Sequence, residues 1–224
     1  MPAAWAIYVQ SKSKVTLTIN GAAGSCGSTI SSYSISGGGF SSTASSFTTG
    51  FLTTSGTITF TAKVTDSRGR TSDAKTVSIS VVAYSAPTFA SYLSQRANSD
   101  GSLNDDGTYI RCLVSYSYSS CSSKNTVTRA TYYKKSSATT WTNANASFSS
   151  GSAFTFGGGA ITTESSYDVK YTITDAFSTI TIYDTVSTAA VLMDFKGGGK
   201  GIAIGKVSEA DNTFEISDKW DMKV

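Results

Sequence analysis

A strand pattern that occurs twice is the feature that most constrains how this chain can fold. Residues 58–66 and 167–175 each carry an apolar side chain at every second position and end in Thr-Asp, at Asp66 and Asp175. Each run leads through a short turn into a second alternating run. Period-two alternation places one set of side chains in a core and the other in water. The chain is therefore predicted to contain two copies of one β-sheet domain.

Shorter alternating runs, bounded by Gly, Ser or Asn, continue this pattern through both halves: Val15–Ile19, Ile110–Tyr118 and Val127–Lys134. No segment shows sustained helical spacing of apolar residues. A chain of 224 residues is long enough for two domains of about 100 residues each. We therefore predict an all-β fold made of two tandem immunoglobulin-like β-sandwiches.

The domain boundary is predicted at Pro87, directly after the last strand of the first copy. Proline fixes its own φ and favours an extended residue before it, which suits a short connection. The predicted domains are two immunoglobulin-like sandwiches at residues 1–86 and 87–189, followed by a glycine-rich β segment at residues 190–224.

The C-terminal segment is expected to need a partner. About 35 residues are too few to bury a core alone, so the segment must pack on the second domain or on another chain. Its alternation continues through Phe214, Ile216, Trp220, Met222 and Val224. An unpaired strand edge is an association site. Either the native chain continues beyond Val224, or this segment is an oligomerisation region.

The polar and glycine-rich turns are expected to be structural. Asp66 and Asp175 follow strands, where a carboxylate accepts N–H bonds from the turn, and Gly69 lies in the first of these turns. The predicted C-terminal hairpin contains further structural glycines: Gly198, Gly199, Gly201 and Gly205. A phosphate-binding loop would need Gly and then Ser or Thr where the chain has Lys200 and Val207.

The composition offers little for catalysis. The chain has no His, which removes His-dependent triads and His metal sites. Paired carboxylates could support glycoside hydrolysis, but the acidic residues fall mostly in predicted turns. Asn104–Gly107 resembles the start of a calcium loop, yet Leu113 stands where an EF-hand loop needs a carboxylate. We predict a non-enzymatic protein without a cofactor or a metal site.

Charge, hydropathy and cysteine content limit the binding partners and the cellular environment that we expect. The net charge of +3 is scattered along the chain, so nucleic-acid binding is not expected. The sequence shows neither a signal peptide nor an apolar run near the about 20 residues of a membrane span. Cys26, Cys112 and Cys121 are expected to be buried free thiols, with a Cys112–Cys121 disulfide as the alternative.

Carbohydrate contact is the binding hypothesis that the aromatic residues of the second domain suggest. Trp141 lies in a polar segment and is the aromatic residue that we most expect to be exposed. Tyr132 and Tyr133 are adjacent, so one of them should point outward. The candidate carbohydrate-binding residues are therefore Trp141, Tyr132 and Tyr133.

Several segments, taken in their order, resemble tail-associated minor structural proteins from siphophages of Gram-positive bacteria: Trp5–Gln10, Ser13–Val15, Val64–Thr71, Tyr84–Pro87, Asp100–Gly101, Asp106–Tyr109 and Met193–Lys206. The resemblance implies a virion protein with immunoglobulin-like modules, assembled in the bacterial cytoplasm. It carries over no catalytic residue.

On this resemblance, the chain is expected to be a spacer or scaffold in a phage tail tip, fibre or baseplate, with other tail proteins as partners. A homo-oligomer is expected, and a trimer in particular, because phage fibres are commonly threefold. One alternative is a receptor-binding adhesin that itself contacts a glycan or protein of the host surface. The other is a bacterial surface protein with immunoglobulin-like repeats.

Overall fold

The computed structural model describes residues 3–188, 192–205 and 208–217. Apart from a 3-10 turn at Ala3–Trp5, the regular structure of these residues is β-strand, which confirms the predicted all-β fold. They form two compact units: residues up to Ala86 with Ser119–Thr126, and Pro87–Tyr118 with the residues from Val127 onward. None of the helical structure in these ranges is long and apolar enough to cross a membrane.

The first unit contains β1 (Tyr8–Val9), β2 (Thr16–Thr18), β3 (Ile30–Gly37), β4 (Phe40–Ser42), β5 (Ser46–Thr48), β6 (Gly56–Asp66) and β7 (Lys75–Val82). Five strands pair in the order β1-β7-β6-β3-β4, with β1 parallel to β7, and β2 pairs with β5 in a second sheet. Strands β3, β6 and β7 thus take the immunoglobulin positions C, F and G, and β2 and β5 take positions B and E. The repeated run forms β6, whose Ile58 and Phe60 lie in the core with Val15, Leu52 and Val81.

The second unit contains β8 (Thr88–Ala97), β9 (Tyr109–Ser117), β10 (Thr128–Lys135), β11 (Thr142–Asn143), β12 (Ser152–Phe156), β13 (Tyr167–Thr174) and β14 (Thr179–Val186). One sheet has the order β12-β9-β8 and the other the order β11-β10-β13-β14. The first sheet corresponds to strands A, B and E of an immunoglobulin-like sandwich. The second corresponds to strands C, F and G, with β11 as an added edge strand. The apolar side of β13 is fully buried, as the alternation of Tyr167, Val169, Tyr171 and Ile173 predicts.

Tyr167 makes a contact characteristic of immunoglobulin-like domains. It lies at the start of β13, and its Oη accepts a hydrogen bond from the N–H of Thr162 at 2.9 Å. A tyrosine at the start of strand F that bonds the backbone a few residues upstream is the tyrosine corner of this fold. With the strand order, this contact confirms the immunoglobulin-like prediction for the second unit.

The C-terminal residues form a small sheet of three short strands: β15 (Met193–Phe195), β16 (Ile202–Ile204) and β17 (Phe214–Ile216). Strand β15 is antiparallel to β16, and β16 is parallel to β17. The predicted continuation through Trp220, Met222 and Val224 lies outside the described residues.

None of the three cysteines forms a disulfide in the structure. Cys112 and Cys121 are buried, and burial raises the pKa of Cys112 to about 12. Cys26 is exposed, so the prediction of burial is wrong for this residue. The physical reason is local, because Cys26 lies in a turn with a positive φ of 53° and not in a strand.

Candidate functional site

The structure separates the two adjacent tyrosines that the sequence suggests for carbohydrate contact. Tyr132 lies directly opposite Lys170 of β13, on the face of the sheet away from the core. Tyr133 lies on the core face, with its ring 5.3 Å from that of Phe156 and 6.5 Å from that of Tyr167 between centroids. Tyr133 is therefore a packing residue, and we remove it from the candidate site.

The outer face of the β11-β10-β13-β14 sheet carries a group of aromatic and lysine side chains that we call the aromatic–lysine patch: Tyr132, Lys134, Trp141, Lys170 and Tyr183. Strand pairing explains the grouping, because Tyr132, Lys170 and Tyr183 face one another across three strands. Trp141 directly precedes β11 in the chain. Its ring packs beside this row, with its centroid 5.8 Å from that of Tyr183.

Both lysines of the patch lie over aromatic rings. The ammonium of Lys170 is 4.2 Å from the ring centroid of Tyr132 and 4.8 Å from that of Trp141. The ammonium of Lys134 is 5.3 Å from the centroid of Trp141. Such cation–π contacts fix the position of flexible lysine side chains. They also leave Trp141 only partly exposed, less than the sequence predicts.

The two lysines differ in their charge balance. Lys134 forms an ion pair with Asp168, Nζ to Oδ2 at 2.7 Å, and donates to the carbonyl of Ala138 at 2.9 Å. The hydrogen bond from Lys134, supported by the hydroxyl of Ser136, lowers the pKa of Asp168 against the opposing effect of its partial burial. Lys170 has no carboxylate partner among the residues that the structure describes.

Sequence reasoning found Trp141 and Tyr132 but missed three members of the patch. Tyr183 is 60% exposed and is the most accessible ring of the group. Period-two alternation along β14 places Tyr183 on the outer side of the sheet, opposite to the side of its neighbour Ile182. The alternation does not say that β14 lies next to β13, and this pairing is what brings Tyr183 to Lys170.

A second surface lies on one side of the C-terminal sheet. Strand register places six apolar residues on this side, which we call the apolar face: Met193, Phe195, Ile202, Ile204, Phe214 and Ile216. Phe195 is 64% exposed and Phe214 is 60% exposed. Directly opposed residues of paired strands share a side of the sheet, so the six side chains form two adjacent rows with no charged residue among them.

The opposite side of this sheet is closed by its own connecting loop. Ala203 is fully buried there. The carboxylate of Asp194 accepts the N–H of Ser208 at 2.8 Å, and that of Glu215 accepts the N–H groups of Glu209 and Ala210. Gly201 permits this closure, because a Cβ there would lie 2.6 Å from the carbonyl oxygen of Ala210.

Asp66 is the last residue of β6 and Asp175 directly follows β13, and the carboxylate of each bonds to the turn beyond its strand. The carboxylate of Asp66 accepts the N–H of Arg68 at 3.0 Å and that of Arg70 at 2.9 Å. Asp175 accepts the N–H of Phe177 and of Ser178, each at 2.8 Å. Of the five glycines predicted to be structural, Gly69, Gly198, Gly199 and Gly205 have a positive φ and Gly201 does not.

The polar segment around Asn104 is held by hydrogen bonds among its own residues. Asn104 accepts the N–H of Asp106 at 3.0 Å and donates to Asn98 at 2.8 Å. Within residues 3–188, 192–205 and 208–217, no group of three or more Cys, Asp or Glu side chains is placed to hold a metal ion.

Comparison with known proteins gives a matching family and 103 similar chains of solved structures. The family described as "Siphovirus protein of unknown function (DUF859)" matches residues 4–213. No curated protein matches the chain. A structure of three N-terminal domains of the bacteriophage RB49 Highly Immunogenic Outer Capsid protein (Hoc) is similar at 13% identity and a TM-score of 0.41. The match covers 81% of this chain and 66% of that one.

Proposed function

The chain belongs to the siphovirus family DUF859, and we propose that it is a non-enzymatic structural component of the phage tail. In this role it acts as a spacer and scaffold that positions a host-attachment module. Other tail proteins are its expected partners, and further copies of the same chain are expected beside it.

The tandem fold supports a mechanical role. Each unit has its own buried cluster of apolar side chains, built around Phe60 in the first and Tyr171 in the second. Folded domains of this kind keep their shape without a ligand, because their cores are large enough to be stable alone. Two such domains give a spacer two separately folded bodies within one chain.

The apolar face of the C-terminal sheet is the observation that carries the proposal. One fully buried aromatic side chain accounts for about 150–250 Å², so the exposed parts of Phe195 and Phe214 together present roughly 250 Å². The four aliphatic members bring the face into the range of about 300–600 Å² that marks the largest patches on monomeric proteins. Patches of this size are often functional, and we infer that this face is an interaction site.

A second copy of the chain is the occupant that we propose for this face. Two rows of apolar side chains without a charge carry no group that would repel a second copy, so the faces of several copies can pack around one symmetry axis and close the oligomer. We propose a homo-oligomer, and a trimer in particular.

Detection in virions tests the proposed function. Purified phage particles are analysed by mass spectrometry, and the particles are labelled with a gold-conjugated antibody against the chain. The proposal predicts peptides from both units in the particles and gold at the tail. A chain found in infected cells but missing from purified particles, or gold confined to the capsid, would refute it.

The aromatic–lysine patch favours a second candidate function, that of a receptor-binding adhesin. Three aromatic rings and two cations on the open face of one sheet exceed what a spacer needs, and exposed groups of this kind are typical of binding surfaces. As an adhesin, the chain would contact a glycan of the host surface directly.

A further inference from the structure

Lys170 is the member of the patch whose charge the fold leaves uncompensated. Its ammonium lies between the rings of Tyr132 and Trp141 at 4.2 and 4.8 Å. Neighbouring Lys134 differs, because Asp168 neutralises it at 2.7 Å. Two aromatic faces thus hold one positive charge in place without a carboxylate partner in the described chain. A positioned cation of this kind is a site for an anionic group.

The surroundings of Lys170 suit a saccharide. The exposed ring of Tyr183 offers an apolar face against which the C–H groups of a sugar can stack, and its hydroxyl offers a hydrogen bond. Exposed polar side chains at Asn143 and Thr185 lie at the edges of the same sheet face, opposite Tyr132 and Asp168 in the strand register. Stacking and hydrogen bonding together are what a sugar ring requires of a protein surface.

We propose that the aromatic–lysine patch binds an acidic carbohydrate, a saccharide that carries carboxylate or phosphodiester groups. The anionic group contacts Lys170, and the adjoining sugar rings contact Tyr132 and Tyr183. The inference rests on the second candidate function and specifies the chemistry of its ligand. Because the patch is the open face of a sheet and not a closed pocket, the ligand is a segment of an extended polymer.

The charge of the patch argues against nucleic acid as the ligand. Lys134, Lys170 and Asp168 sum to a single positive charge, whereas binding to a nucleic-acid backbone depends on several clustered cations. A single fixed cation beside aromatic rings fits a polymer whose negative charges are separated by sugar units.

Titration calorimetry with three oligosaccharide probes of similar length tests the inference. One probe carries uronic acids, one consists of glycerol phosphate units that bear sugars, and one is a neutral glucose oligomer. We expect at least one acidic probe to bind, the neutral probe to bind at least tenfold more weakly, and affinity to fall as salt rises. The two acidic probes distinguish a carboxylate ligand from a phosphodiester ligand.

Lys170→Gln is the decisive variant, and Lys63→Gln is its matched control. Lys63 is an exposed lysine on β6, the strand of the first unit that corresponds to β13. We expect Lys170→Gln to weaken binding of the acidic probe at least tenfold and Lys63→Gln to change it less than twofold. Thermal melting of both variants, expected to match the wild type, shows that each is folded.

Several results would overturn the inference. These are equal affinity for the neutral probe, equal losses in the two lysine variants, no binding of any probe at millimolar concentration, or equally tight binding of single-stranded DNA of matched charge. None of them bears on the structural role, because incorporation into virions is measured separately. Phage that carries Lys170→Gln should still contain the chain in its tail.

Discussion

At the scale of single residues, Asp66 shows how one turn is fixed by a carboxylate. The N–H of Arg70 lowers the pKa of Asp66 from 3.8 to about 2, with help from the guanidinium of Arg70 and the N–H of Arg68 and against the opposing effect of desolvation. The Nη2 of Arg70 also lies 2.7 Å from the carboxylate. These bonds are made by the ionised form, so they stabilise the folded state only while Asp66 is charged.

The sign of the pH dependence follows from the lowered pKa of Asp66. The folded state binds this proton less tightly than the unfolded state does, so the stabilisation is complete above pH 3.8 and is lost as the pH falls through about 2. We expect Asp66→Asn to lower the urea midpoint of the first unit near pH 6, and this difference from the wild type to shrink below pH 4. Circular dichroism at a series of pH values measures it.

Asp73→Asn is the control for this experiment. Asp73 is exposed in the same connection between β6 and β7, and its removal deletes the same charge without deleting the turn bonds. We expect its urea midpoint to stay close to that of the wild type at pH 6. A difference between Asp66→Asn and the wild type that stays constant down to pH 2 would contradict the account of this turn.

At the scale of elements, β8 is held by Arg96, a buried arginine that faces the interior. Its guanidinium donates to four backbone carbonyls, those of Gly107, Thr162, Ser165 and Ser187, at 2.7–3.1 Å. Burial lowers the pKa of Arg96, but a guanidinium remains charged at neutral pH. Arg96 thereby ties β8 to the segment before β13 and to the end of β14.

Replacing Arg96 should destabilise the second unit. A hydrogen bond to a charged group contributes about 1.5–3 kcal/mol, and Arg96→Met removes four while leaving their carbonyls unpaired. We expect the free energy of unfolding to fall by at least about 2 kcal/mol, measured by urea denaturation. Arg111→Met is the control, since Arg111 faces the opposite side of the same sheet, next to Gln95. Equal losses in the two variants would contradict this role of Arg96.

Strand β8 is an element that the alternation of apolar residues in the sequence does not predict. Strands β6, β9 and β13 could be predicted because their inward positions are apolar. The inward positions of β8 include Ser94 and Arg96, so the strand carries no apolar alternation. Its burial depends on partners distant in sequence, such as the Tyr171 hydroxyl at 2.5 Å from Ser94 Oγ.

The aromatic–lysine patch, too, could be predicted from the sequence only in part. Alternation along β10 and β13 places Tyr132 and Lys170 outward, and this can be predicted locally. Their meeting with Trp141 and Tyr183 requires the pairing of β10, β13 and β14. Long-range pairing is set by the whole sandwich and not by the period of one strand.

At the scale of the whole molecule, we propose that the chain is a part of the virion that assembles with further copies of itself. The two units are folded bodies with their own cores, and the C-terminal sheet closes one of its sides with its own loop. The other side, the apolar face, is left to water by the described chain. Exposed apolar area of this extent favours association, because burying it releases about 25 cal/mol for each Å².

Light scattering coupled to size-exclusion chromatography measures this association directly. The chain has a mass of 23.4 kDa, and the account predicts a multiple of this value, three copies in particular. The double variant Phe195→Ser/Phe214→Ser should return a single copy. Phe51→Ser, which changes a phenylalanine of the first unit that is 53% exposed, should keep the wild-type mass. A wild-type chain that stays at 23.4 kDa at high concentration would contradict the claim that the apolar face joins copies of this chain.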